Sequence, residues 1–399
     1  MLLIPLLWSQ RAIGALMKRG MHALPARMKA WQTHKFGGID DILLEEVRVP
    51  QLRCPRDVLI KIHAASVNPL DVAMMDGYGR NIIDVLRSVQ HFPHSSDRFP
   101  LILGRDFSGE VVAVGQGVKH FQAGDEACAL VWGATMAGHQ GSHAEYIAAS
   151  SNIISKKPKT LSHLESAVIP YAGLTAWAAI RTVGNVSRQT ASNKRQAESR
   201  SPHLSLLLCN VHTTQPLFSV QLLKAWNASV TTTCSSDAVE LLSSLGADCV
   251  VDYTSPDFEQ QLRQSPRFDF ILDCVGTQKR PLATELLRKG RLATYVTVVS
   301  PVLKNADDLG LLPGLATSAL QALQITVKEL MEARSVRWAF FCPNANALEE
   351  ISGLVELGKI APVIQDTFPF EDVPGAYRKI KEGHARGKTV VSIVNKDNP

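Results

Sequence analysis

The chain has no long hydrophobic run. No stretch of about 18 consecutive apolar residues, the length that a membrane-spanning helix needs, occurs in its 399 residues. Its composition is otherwise that of a globular protein, with 45% apolar and 20% charged residues. A chain of this length can form two domains, each with its own hydrophobic core. We therefore predict a two-domain protein without a transmembrane segment.

Paired cysteines are also missing. The seven cysteines are dispersed singly, without a Cys-x-x-Cys motif, and several fall in strand-like runs. This pattern is typical of buried thiols in a reducing compartment rather than of a disulfide framework. A structural zinc site needs clustered thiolates, and a catalytic one needs Cys and His on adjacent turns. Neither pattern occurs, so we expect no metal.

Acidic residues are absent before Asp40. Six basic residues precede it, which leaves 36 basic and 37 acidic residues in the remainder. That balance excludes nucleic-acid binding by charge. A leader with scattered Arg and Lys among apolar residues is typical of a mitochondrial presequence, which we place at residues 1–27. Two alternatives stay open. The segment is either a secretory signal, although no charge precedes MLLIPLLW, or an extension that is not a targeting signal.

Short alternating runs separated by turns predict an all-β domain over residues 28–160, a partly open barrel. Residues 79–100 interrupt it with a helix-like segment at the rim, a common place for substrate contacts. Over residues 161–334 short apolar strands alternate with helices, which predicts a doubly wound parallel sheet interrupted by an atypical polar insert at 187–203. Residues 335–399 are expected to return to the first domain.

Several motifs together resemble the zinc-free quinone oxidoreductases of the medium-chain dehydrogenase/reductase superfamily. They are AASVNPLD, LILGRDFSGEVVAVG, GSHAEY, PYAGLTAW and LGADCVVDY, in that order. The resemblance covers residues 28–394 and implies an α/β fold with a GroES-like β-barrel domain and a Rossmann domain, whose cleft holds the active site. It also implies a mitochondrial enzyme of ubiquinone metabolism that transfers a hydride from NADPH to a quinone or activated carbonyl.

The resemblance assigns two residues to the reacting end of that cleft. Asn68 occupies the place where zinc-dependent relatives have a metal-binding Cys, which fits the expected absence of zinc. Tyr78 is a candidate for lining the acceptor pocket; alternatively, it is a surface turn residue in DGYGR.

The coenzyme side begins where the second strand of the parallel sheet ends. An acidic residue there would accept hydrogen bonds from the NAD ribose and repel a 2′-phosphate. Hydroxyls replace it at Ser235 and Ser236, so we expect NADPH; alternatively, these serines only cap the next helix. The resemblance implies further contacts, and Arg386 is suited to bidentate phosphate binding. The implied coenzyme residues are Ser235, Tyr253, Val298, Phe341, His384, Ala385 and Arg386.

The glycine-rich phosphate loop of the resembling family is missing. Its glycine positions fall on Asn210, Thr213, Thr214 and Pro216, where side chains would crowd a diphosphate and the proline removes one N–H. An alternative function therefore stays open, a non-catalytic protein of the same fold that acts through partner binding. By resemblance the partners are a quinone-like small molecule, a protein such as a reticulon and a second copy in a homodimer.

Overall fold

The computed structural model describes residues 24–91, 98–130, 140–188, 205–209, 214–276, 280–290, 293–332, 334–341, 343–383 and 385–394. The strands in chain order are β1 (Arg27–Thr33), β2 (Ile42–Arg48), β3 (Asp57–Val67), β4 (Leu101–Ile102), β5 (Asp106–Val114), β6 (Glu126–Leu130), β7 (Tyr146–Ser150), β8 (Ile154–Lys156), β9 (Ser205–Cys209), β10 (Ser229–Cys234), β11 (Cys249–Asp252), β12 (Phe270–Asp273), β13 (Thr294–Thr297), β14 (Ser335–Trp338), β15 (Ile364–Pro369) and β16 (Lys388–Ser392).

The α-helices in the described ranges are α1 (Pro69–Met75), α2 (Arg80–His91), α3 (His163–Ser166), α4 (Ile169–Trp177), α5 (Thr214–Ala225), α6 (Val239–Ser244), α7 (Phe258–Gln264), α8 (Arg280–Leu286), α9 (Val302–Leu309), α10 (Leu311–Met331), α11 (Ala345–Glu356) and α12 (Val373–Glu382). Helix α3 begins with a capping box at Ser162. The Ser162 hydroxyl accepts from the Glu165 N–H, and the Glu165 carboxylate accepts from the Ser162 N–H.

Six parallel strands form one sheet, in the order β11-β10-β9-β12-β13-β14. Along β9, Leu206 and Leu208 pack into one hydrophobic cluster, whereas Leu207 packs into another on the opposite face. Both faces are covered, which explains the unbroken apolar run in this strand. The strand order reverses between β9 and β12, and such a reversal opens a crevice at the carboxyl ends of the strands. The predicted doubly wound sheet is confirmed.

The β-domain contains a sheet in the order β15-β16-β3-β5-β6-β8, with β7 paired to β3, and a smaller sheet β2-β1-β4. Strand β16 pairs antiparallel with β3, so the end of the chain returns to this domain. Residue Arg386, just before β16, reaches across to the residues that follow β10. The C-terminal segment therefore contacts both domains.

Some predicted details were wrong. The apolar run at residues 268–275 predicts a strand over its whole length, but β12 ends at Asp273, because the Asp273 carboxylate accepts the N–H groups of Val275 and Gly276 and turns the chain. Strand β1 begins at Arg27, inside the predicted presequence. Neither β15 nor α12 was predicted.

Two expectations concern thiols and membrane spans. Among the described cysteines, Cys128 and Cys234 are buried, but Cys54 and Cys249 are exposed, so the expectation of buried thiols holds only in part. Within the described ranges, no helix has both the length and the apolar character needed to cross a bilayer.

Candidate active site

The carboxyl edge of the parallel sheet is where the sequence predicts the coenzyme. Helix α5 begins at Thr214, and Pro216 lies in its first turn, where backbone N–H groups have no partner within the helix. A proline is tolerated there, although it removes one N–H that an anion could use. Asn210 and Thr213, which replace two of the expected glycines, lie outside the described residues.

Two predicted coenzyme residues meet beyond the end of β10. The Arg386 Nη2 donates to Ser235 Oγ at 2.8 Å. The same guanidinium donates to both carboxylate oxygens of Asp237, at 2.6 to 3.0 Å. Hydrogen bonds from Ser235 and then Arg386 hold the pKa of Asp237 below its ordinary value. Asp237 was not predicted, since only this contact with a residue 149 positions away distinguishes it from other exposed acids.

Tyr253 lies next to this cluster, directly after β11. Its N–H donates to the Cys234 carbonyl at 2.9 Å. Its side chain lines a cavity of about 60 Å³ together with Thr233 and Phe258. The structure thus places Tyr253 beside the end of β10, near Ser235. Ala385 directly precedes Arg386, whereas His384 lies outside the described residues.

Asn68 belongs to a buried polar network. It forms the N-terminal cap of α1, and its Nδ2 donates to Asp106 Oδ2 at 3.1 Å. Lys388 Nζ donates to Asn68 Oδ1 and, at 3.0 Å, to Asp106 Oδ2. The Ser66 hydroxyl also donates to Asp106 Oδ2, at 2.7 Å. Asn68 is only 1% exposed, so these contacts fix its amide and hold the start of α1 against β5 and β16.

A second buried pair continues this network. Asp71 accepts the Asn68 N–H at 2.8 Å, and Asp71 Oδ1 lies 3.5 Å from Arg105 Nε. Burial raises the pKa of Asp71, while Arg105 opposes that rise. Asp71 thus closes the first turn of α1, and Arg105 anchors it to the segment before β5.

Tyr171 is a site residue that sequence reasoning missed. Its N–H donates to Asp106 Oδ1 at 2.8 Å, and its ring stacks on that of Phe341 with centroids 5.5 Å apart. The Lys388 ammonium lies 5.8 Å from the ring centroid. Burial raises the pKa of Tyr171 to about 12, and the nearby Asp71 adds to this rise. The motif PYAGLTAW contains it, but nothing in the motif alone shows that its ring meets Phe341.

The predicted pocket residue Tyr78 lines a cavity of about 940 Å³ between the two domains. It lies in a turn before α2 and is half-buried, so it is both a turn residue and a pocket residue. Burial, followed by Asp307, raises the pKa of its hydroxyl. The other walls come from the ends of β12, β13 and β14 and from the inner face of α10.

Other residues at the carboxyl edge differ in where their side chains point. Thr297 and Val299 line the large cavity, but Val298 between them packs partly against the hydrophobic cluster of the sheet. Asp273 and Tyr295 were not predicted; the Tyr295 hydroxyl donates to Asp273, and both line the cavity. Across the described ranges, no three His, Cys, Asp or Glu side chains are grouped as metal ligands.

Two family models match this chain. The model for the alcohol dehydrogenase GroES-like domain matches residues 54–159, and that for zinc-binding dehydrogenase matches residues 245–391. The first covers most of the β-domain. The second begins within the parallel sheet and extends through the C-terminal return. The matched ranges agree with the two-part architecture.

Known proteins similar to this chain share most of its length. The mitochondrial NAD(P)H oxidoreductase RTN4IP1 of Mus musculus is 42% identical over 97% of this chain and 95% of its own. The mitochondrial reticulon-4-interacting protein 1 of Caenorhabditis elegans is 33% identical over 94% of this chain and 98% of its own. Among solved structures, the quinone oxidoreductase from Coxiella burnetii superposes with a TM-score of 0.69 at 25% identity, covering 92% of this chain and 100% of that one.

Proposed function

The chain belongs to the mitochondrial NAD(P)H oxidoreductases of the medium-chain dehydrogenase/reductase superfamily, and we propose that it transfers a hydride from NADPH to a quinone-like acceptor. The observation that supports a quinone-like acceptor is the cavity of about 940 Å³ beside Tyr78. The similar proteins favour this enzyme over a non-catalytic protein of the same fold.

The coenzyme choice rests on the residues beyond β10. Ser235 offers a hydroxyl and Arg386 a guanidinium, and the two are already 2.8 Å apart. This donor set fits a 2′-phosphate, because a guanidinium binds phosphate oxygens through parallel N–H bonds. Bound NADPH would supply the hydride. Tyr253, which lies beside the end of β10, is in this proposal the contact of the adenosine side.

The proposed acceptor site is supported by the shape of the cavity and by a proton donor in its wall. A cavity of about 940 Å³, walled partly by Val275, Ile325 and Phe340, suits a ring with apolar substituents. The Tyr78 hydroxyl stays protonated at neutral pH and can donate to an acceptor oxygen as negative charge develops there. Phe341 stacks on Tyr171 and packs partly against the hydrophobic cluster of the sheet. Asn68 acts in this proposal as a positioning residue, because its amide is held on both sides.

Three expectations stay proposals besides that of a homodimer. They are the domain division at residues 28–160, 161–334 and 335–399, independence from zinc, and a protein partner. The name of the worm relative describes reticulon interaction, and we propose a similar partner for this chain. A homodimer through β14 fits its position at one edge of the parallel sheet.

The variant Tyr78→Phe tests the proposed acceptor site. With NADPH and a water-soluble quinone, Tyr78→Phe is expected to lower kcat at least about tenfold, since a positioned proton donor contributes on the order of a hundredfold or more. Tyr146→Phe is the matched control: Tyr146 is also partly buried with a raised pKa but lies on β7. Equal kcat in both variants, or no quinone-dependent NADPH oxidation by the wild type, would refute the proposal.

A further inference from the structure

The guanidinium of Arg386 binds a carboxylate at the place proposed for the coenzyme phosphate. Its Nε donates to Asp237 Oδ2 at 3.0 Å, and its Nη2 donates to Oδ1 at 2.7 Å and to Oδ2 at 2.6 Å. Nη1 is directed instead toward the Ala385 carbonyl, at 3.5 Å. A guanidinium can bind phosphate bidentately through its Nε–Nη2 edge or its Nη1–Nη2 edge. Asp237 occupies the first, and Nη2, which the second also needs, already donates to Asp237 and Ser235.

Asp237 is also positioned to receive a ribose. It lies two residues beyond Ser235, and the Ser235 hydroxyl donates to its Oδ1 at 2.6 Å. Its side chain is 61% exposed, whereas that of Arg386 is 19% exposed. A carboxylate after the second strand of such a sheet accepts hydrogen bonds from the ribose hydroxyls of NADH and repels a 2′-phosphate.

The local sequence does not require the arginine. Asp257 has the same arrangement on a neighbouring element: the Ser255 hydroxyl donates to Asp257 Oδ1 at 2.5 Å, and a hydrogen bond from Ser255 lowers the pKa of that carboxyl. The other side-chain donor to Asp257 is Gln261. A serine two residues before an aspartate at a helix start is therefore stable without a guanidinium. The Arg386 contact is an additional feature of Asp237.

We propose that Asp237 determines coenzyme selectivity by competing with the 2′-phosphate of NADPH for Arg386, so that the site accepts NADH as well as NADPH. This inference rests on the proposed function. When NADPH binds, the phosphate replaces Asp237 on the Nε and Nη2 edge and then lies beside a carboxylate of like charge. When NADH binds, Arg386 stays on Asp237, and the carboxylate accepts a ribose hydroxyl.

The test compares dissociation constants of NADPH and NADH for the full chain and its variants, measured by nicotinamide fluorescence. Asp237→Asn keeps the size of the side chain but removes its charge. It is expected to lower the dissociation constant of NADPH about fivefold, because a single exposed like-charge contact contributes on the order of 1 kcal/mol. NADH binding is expected to weaken or stay unchanged. The ratio of the two constants therefore shifts toward NADPH.

Arg386→Gln is expected to give the opposite shift. The dissociation constant of NADPH should rise at least about tenfold, because charge-assisted hydrogen bonds to the phosphate are lost. NADH should bind equally well or more tightly, since Asp237 is released. In the double variant Asp237→Asn with Arg386→Gln, the gain in NADPH affinity from Asp237→Asn should be mostly lost, because that gain depends on the freed guanidinium.

Asp257→Asn is the matched control, since it removes an exposed carboxylate with the same local geometry that contacts no arginine among the residues that the structure describes. Its two dissociation constants should equal those of the wild type. The inference is overturned if both coenzymes bind and Asp237→Asn leaves their ratio unchanged, or if Asp257→Asn shifts it equally. Failure of the wild type to bind either coenzyme would instead overturn the proposed function, and with it the inference.

Discussion

At the scale of single residues, Lys388 and Asp106 form an ion pair that is almost entirely shielded from water, with exposed side-chain fractions of 3% and 0%. Asp106 accepts from three further donors, on Ser66, Asn68 and the backbone of Tyr171. Every bond of this network joins segments far apart in sequence. One carboxylate thereby fixes β3, the start of α1 and the start of α4 relative to β16.

Removing either charge should destabilise the protein strongly. Asp106→Asn leaves Lys388 charged, buried and without its counterion, which costs about 3 to 5 kcal/mol of unfolding free energy in comparable pairs. The double change Asp106→Asn with Lys388→Met should cost less than Asp106→Asn alone. Urea denaturation checks both. A larger loss in the double variant than in the single one would contradict the account.

His143 is a buried histidine whose pKa is lowered to about 4, mainly by burial. Its ring packs edge-on against Tyr377, whose hydroxyl lies 3.4 Å from Nδ1. An unfolded chain takes up this proton near pH 6.5, but the folded protein does so only near pH 4. The unfolding free energy should therefore fall as the pH is lowered through this window and be fully retained above it.

The His143→Gln variant isolates this effect, because the other histidines titrate in both proteins. The difference in unfolding free energy between wild type and variant should shrink by about 3 kcal/mol from pH 7 to pH 4, the value of a shift of this size. Urea denaturation at several pH values measures it. Parallel pH curves for the two proteins would show that His143 is protonated equally in the folded and unfolded states.

Sequence patterns could identify Ser235 and Tyr78 as site candidates, because each carries a polar group at a strand end or in a turn. They could not identify Asp237, Tyr171 or Asp273. The partners that give these residues a role are Arg386, Phe341 and Tyr295, from 22 to 170 positions away in the chain. Only the folded structure brings such pairs together.

At the scale of elements, the β3–β5 pair shows how one glycine sets strand geometry. The register of this antiparallel pair shifts between Ile62 and Ala64, next to Gly109 on β5. A Cβ at Gly109 would overlap the backbone carbonyl of Lys61, which cannot move without breaking the pairing. The bulge therefore requires a residue without a side chain.

Alanine at this position should be destabilising. Gly109→Ala is expected to lower the unfolding free energy by about 2 to 4 kcal/mol, within the range of severe packing changes. Gly353→Ala is the control: it lies within α11, and its Cβ would have no heavy atom within 4 Å. That change should be stabilising by about 0.5 to 1 kcal/mol. Thermal unfolding of both checks this, and equal melting temperatures would contradict it.

Some elements were predictable from their apolar pattern, but α12 was missed although its buried residues Val373, Ala376 and Tyr377 have helical spacing. Strand β9 and helix α5 surround the glycine-free segment, and their apolar residues specify them without help from the phosphate loop. Strand β15, IQDTFP, alternates half-buried and exposed residues and contains none that is fully buried. Its place beside β16 depends on a parallel pairing across the intervening helix α12, which a short polar sequence does not reveal.

At the scale of the whole molecule, the C-terminal segment joins the two ends of the proposed active site. Arg386 contacts Ser235 and Asp237 beyond the parallel sheet, and Lys388, two residues on, contacts Asn68 and Asp106 in the β-domain. The proposed coenzyme contacts and the buried network that holds Asn68 therefore share one short segment of the chain. Two segments differ from the resembling family: the polar insert at residues 187–203 and the segment after β9, where no glycine is present.

Titration of the full chain with NADPH, followed by quenching of tryptophan fluorescence, tests most directly whether this fold binds its coenzyme without that loop. The remaining contacts at Ser235, Tyr253 and Arg386 lead us to expect a dissociation constant of roughly 1 to 100 μM, in the range where coenzymes of working enzymes bind. The reporters are Trp177, the last residue of α4, and Trp226, which directly follows α5; their ring centroids are 5.6 Å apart. A dissociation constant above about 1 mM would contradict the enzyme assignment for this polypeptide.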